Sequence, residues 1–162
     1  MNPKILFLSL ALAGALVFPA SFSLQAQHQM NPMDPSQVKP LPERKDVVSW
    51  KTLAQVELIK QKDRYVPQFA ASVTSLDQKQ VKMQGFMMPL QTGERQSHFV
   101  LSAMPTTCSF CLPGGPESLV EVKAKTPVKY TFEPVILTGK LTVLKDDPAG
   151  VFYRLTDAVP AN

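Results

Sequence analysis

The sequence predicts an all-β fold: a small five- or six-stranded barrel of the oligonucleotide/oligosaccharide-binding (OB) shape, led in by a short N-terminal helix. Three observations predict it. From residue 65 onward, apolar residues recur at every second position in short runs. Turn residues, not helix-length segments, part those runs. Two glycines, Gly85 and Gly139, sit inside runs, where a small closed barrel needs bulges or sharp bends. A β-sandwich is the alternative, because two-residue alternation demands only one buried and one solvated face.

The chain opens with a different kind of segment. Lys4 precedes Ile5–Val17, an uncharged apolar stretch, and small and polar residues follow in FPASFSLQAQ. A positive start, a short apolar stretch and small residues describe a secretory signal peptide. The stretch is short for a membrane span, which takes about 20 apolar residues. Residues 1–26 are therefore expected to be removed on export, and the protein is expected in the periplasm. Residues 27–46 hold four prolines and no apolar periodicity, the composition of a flexible linker. Residues 47–162 are left for a single barrel domain, enough for a modest core.

The elements follow in order. Ser49 can cap a short helix over Trp50–Leu53. Val56–Ile59 suits a strand. Val81, Met83 and Gly85 alternate, as do Phe99, Leu101 and Ala103. Leu119 or Val120 alternates with Val122, and Val128 with Tyr130 and Phe132. Ile136 and Thr138 precede Gly139, Leu141 and Val143 follow it, and Val151, Tyr153 and Leu155 close the chain. Pro89 and Pro105 end apolar runs, since proline cannot donate to a ladder.

Several function classes drop out. The net charge of +4 comes from lysines spread along the chain, with no dense basic run, so no nucleic-acid partner is expected. No phosphate-binding glycine loop and no G-x-S-x-G elbow occur. Asp146 and Asp147 share the turn KDDPAG, where carboxylates are solvated. No catalytic residues are assigned.

The two cysteines carry the remaining signal. Cys108 and Cys111 form C-x-x-C within TTCSFCLPGGP. A disulfide suits an exported chain, though so small a ring gives little entropic stabilisation. Thiol–disulfide exchange is the only plausible activity, but two prolines and two glycines after Cys111 cannot continue the helix that activates such a thiol. Two thiolates on a tight turn also suit zinc or copper. His98 and Met87 are the candidates to complete that set. Met87 and Met88 are adjacent, so in a strand they face opposite ways. An aromatic binding groove would draw on Phe86, Phe110 and Tyr130.

The order VKMQGFMMPL, HFVLSAMPTTCSFCLPGGPESLVEV, VILTGKLTV and GVFYRLTDA resembles domain-of-unknown-function family 3299, small exported bacterial proteins, over about residues 65–158. The resemblance implies a periplasmic, sometimes lipidated, OB-like protein without catalytic activity. It implies an accessory role beside inner-membrane ABC-type transport systems and a link to metal, especially zinc. This chain lacks the lipidation cysteine, and it has C-x-x-C where relatives carry Cys-x-His. Either loop offers two metal ligands, which moves the reading from disulfide towards metal. A thiol-redox or disulfide-capped adaptor docking to a membrane partner is the alternative.

Overall fold

The computed structural model describes residues 41–105 and 114–162. Residues 1–26, expected as a signal peptide, and most of the stretch 27–46 expected as a linker fall outside the described residues. Two short α-helices, a 3-10 turn (Pro116–Ser118), a two-stranded sheet and a closed five-stranded barrel are the elements of the described part. All-β architecture with a small barrel is therefore the outcome, and the sandwich alternative falls because the barrel strands close on themselves.

Ser49 caps the first helix, α1 (Trp50–Leu53), accepting from the Lys51 N–H. Leu53 is fully buried, and the Trp50 indole donates to the Gln84 carbonyl at 2.8 Å, fastening α1 to the barrel. A hairpin follows: β1 (Val56–Gln61) pairs antiparallel with β2 (Arg64–Phe69), turning at Lys62, whose φ is +53°. Phe69 reaches the core, edge-on to Phe152 at 5.7 Å. A second short helix, α2 (Ala71–Thr74), buries Val73. Its single turn is too short to leave a periodic signature in the sequence.

The barrel strands are β3 (Gln80–Pro89), β4 (Arg95–Ser102), β5 (Leu119–Lys129), β6 (Val135–Val143) and β7 (Tyr153–Pro160), joined in the order β3-β4-β5-β7-β6 and back to β3. All neighbours are antiparallel except β5 and β7. Gly85 is the corner: residues 80–85 of β3 pair with β6 and residues 86–89 with β4. A Cβ at Gly85 would lie 2.7 Å from Leu101 Cγ and from the Ser102 carbonyl, so only glycine lets the strand change partners there.

Inward positions fill the interior as alternation predicts. Met83 and Met87, Phe99 and Leu101, Val120 and Val122, Leu137 and Leu141, and Tyr153 and Leu155 are all at most 2% exposed. Two expectations change. The runs at Leu119 and Val128 belong to one strand, β5, which loses register with β4 between Lys123 and Val128, around Pro127. In β6 the buried residues are Leu137, Leu141 and Val143, in step with Gly139, so the strand does not change phase at that glycine. The bulge lies opposite, in β7. Two residues of β5 or β6 span three of β7 there, and Asp157 takes φ +53°. Gly139 lets the bulge approach, because a Cβ would lie 2.8 Å from the Thr156 carbonyl.

Candidate functional site

Inward Phe99 and Leu101 on β4 turn His98 and Val100 outward. Inward Val120 and Val122 on β5 do the same for Leu119 and Glu121. Glu121 pairs in register with Arg154 of β7, so the outer sheet face carries His98, Glu121 and Arg154 across three strands. His98 Nε2 lies 2.8 Å from Glu121 Oε1, and Arg154 Nε donates to Glu121 Oε2. The row ends in the β6–β7 loop, where Arg154 Nη2 donates to Asp147 Oδ2 at 3.2 Å.

Burial works to raise the Glu121 carboxyl, but the hydrogen bonds from Arg154 and His98 and the charges of Arg154 and Lys123 outweigh it, holding it below the usual glutamate value. Asp147 is likewise lowered. Burial again opposes, and the Ala149 N–H and the Arg154 side chain prevail. An ionised carboxylate only accepts, so Nε2 of His98 is the donor in this bond, and Nδ1 is the ring's other nitrogen.

A groove of about 460 Å³ opens beside this row. Leu90, Val100, Leu119 and Val151 give it apolar walls, and His98 and Glu121 its polar end. Gly114 and Pro116 line it too. Gly114 stands three residues beyond Cys111 in the sequence.

The proposed ligands thus divide. Cys108 and Cys111 lie outside the described residues. His98 is partly exposed on the outer face. Met87 corrects the expectation: it is 2% exposed inside the barrel, opposite Leu101, and so faces away from His98. Its neighbour Met88 stands on the outer face, paired with Val100. The aromatic candidates divide as well. Phe86 is buried, and Tyr130 packs edge-on against Phe132 at 5.2 Å. Phe110 falls outside the described residues. Among the described residues, no three His, Cys, Asp or Glu side chains group as a metal site.

Sequence reasoning missed Glu121, Arg154 and Asp147. Asp147 was read as solvated, yet its side chain is only 11% exposed and holds Arg154. The one available signal was a charge at outward positions of two strands whose pairing is not local.

A family model described as "Protein of unknown function (DUF3299)" matches residues 23–158. A crystal structure of a DUF3299 family protein from Pseudomonas aeruginosa PAO1 is similar, at 20% identity and TM-score 0.47, covering 59% of this chain and 68% of that one. No curated protein matches.

Proposed function

We propose, for a chain that belongs to the DUF3299 family, the role of a periplasmic accessory protein that binds zinc or copper through Cys108, Cys111 and His98. The observation that carries this reading is the His98–Glu121 hydrogen bond at the groove. Histidines that ligate metals commonly give their other ring N–H to a carboxylate, which fixes the tautomer and makes the ligating nitrogen more basic. Glu121 stands in that supporting position, Nδ1 of His98 is the ligating atom, and Met87 drops out of the set. Gly114, three residues beyond Cys111 in the chain, lines this groove. A bound ion would add charge neutralisation and a link between the segment and the sheet face. The role is binding and hand-over, with an inner-membrane ABC-type transporter as recipient. An OB-like reading of the barrel agrees with the strand order β3-β4-β5-β7-β6 and with a groove on the face of its second and third strands.

Metal analysis of protein isolated under reducing conditions tests the proposal. The natural protein is expected to hold zinc or copper, and Cys108→Ser and His98→Ala to lose it. Glu121→Gln is expected to weaken binding by about 10–100-fold. Unchanged metal content in Cys108→Ser, or none in the natural protein, overturns the reading. Mass spectrometry without reductant separates it from a disulfide-capped loop.

A further inference from the structure

Each barrel strand has a neighbour on both sides. The β1–β2 hairpin, by contrast, has no further strand on either side among the described residues, and its two edges differ. The Ala70 N–H donates to the Gln55 carbonyl at 3.0 Å, which fixes the hydrogen-bonding phase of the ladder. Residues 57, 59 and 61 of β1 exchange bonds with β2, while Leu58 and Lys60 turn their main-chain groups outward. On β2 the outward residues include Pro67, opposite Leu58. Proline has no N–H, so the β2 edge is blunted at its middle. The β1 edge has no such interruption. Leu58 is 58% exposed there, and no other backbone bond among the described residues reaches Leu58 or Lys60.

An open edge is complementary to another strand. We propose that this edge pairs with the β1 edge of a second copy of the chain, antiparallel about a two-fold axis at Ile59. Two facts select that register. The Val56 N–H is already taken by the Ala54 carbonyl, and Lys62 leaves the extended region, so Leu58 and Lys60 are the positions free to pair. With Ile59 on the axis, Leu58 of each copy exchanges its backbone bonds with Lys60 of the other. Val66 lies opposite Ile59 within each hairpin, so one face gains an apolar row of Val66, Ile59 and their two mates. Glu57 falls opposite Gln61 of the second copy. Because the β2 edge is blunted, the four-stranded sheet stops at two copies and does not grow into a filament. Lys60 of the two copies become diagonal neighbours, so added salt strengthens the pairing.

Sedimentation equilibrium over a concentration series, at low and high salt, reads the association. The expected result is a monomer–dimer equilibrium that shifts to dimer with salt and is lost in Leu58→Pro. Ile59→Cys in a Cys108→Ser, Cys111→Ser background reads the register without relying on the proline variant's fold. It is expected to cross-link to itself under mild oxidation, whereas Glu57→Cys does not. A chain monomeric throughout, a dimer untouched by Leu58→Pro with its far-ultraviolet circular dichroism intact, or failure of Ile59→Cys to cross-link overturns the proposal.

Discussion

The hydroxyl of Tyr153 donates to the carbonyl of Leu53 at 2.5 Å, joining the last strand to the C-terminal end of α1 across a hundred residues of chain. Both residues are fully buried. Burial keeps the phenol protonated, its titration pushed up beyond the ordinary tyrosine range. Tyr153→Phe keeps the ring and leaves the carbonyl without this donor. It is expected to cost about 1–3 kcal/mol, measured by urea unfolding, with the slope unchanged.

Gly85→Ala places a methyl group against Leu101 and the Ser102 backbone at the barrel's corner. Neither neighbour can yield without moving β4. The expected loss is about 1–3 kcal/mol, as for overpacked cores. Gly93→Ala is the contrast, since its added carbon would meet nothing within 4 Å. Its cost comes instead from φ +112°. Calorimetry of the two variants separates crowding from backbone strain.

The acid limb of the stability curve reports on Glu121. Its carboxyl is lowered in the fold by Arg154 and His98 against the pull of burial. The unfolded chain therefore binds this proton more readily, and stability falls as pH drops below the ordinary glutamate value, about 4.3. The contribution is complete above that value and is lost as pH falls through the lowered one. Glu121→Gln is expected to be less stable than the natural chain at pH 7, with the gap narrowing towards acid. Thermal unfolding from pH 7 down to about pH 3 checks it. A gap independent of pH would contradict this account.

Asp157 adopts the left-handed conformation at the β7 bulge. An L-residue there costs about 1–2 kcal/mol, and aspartate bears it better than most. Asp157→Gly is expected to be neutral or to stabilise by up to about 1 kcal/mol. Asp157→Val, β-branched, is expected to destabilise. Urea midpoints of the pair decide this.

Much of the barrel was legible because its signal is local. Val81, Met83, Phe99 and Leu101 alternate within their own strands, and Ser49 announces α1 by its capping chemistry. The irregularity at Gly139 was legible because a glycine shows in the sequence, while the strained residue it accommodates on the partner strand, Asp157, looks like any polar residue. The site was legible only at His98. Glu121 and Arg154 acquire meaning from the register between β5 and β7, which no short stretch encodes. Met87 was one residue out of phase with the outer face, the smallest error a strand allows and one that reverses the side.

The parallel contact between β5 and β7 has a consequence for how the molecule comes into being. β7, which follows both in chain order, is inserted between β5 and β6. Until Tyr153–Pro160 arrives, the sheet is an open ribbon with two unsatisfied borders, and Val122 and Leu141 lack their Leu155 partner. A nascent chain halted at the β6–β7 loop would therefore be sticky, and β7 converts that ribbon into a sealed cylinder.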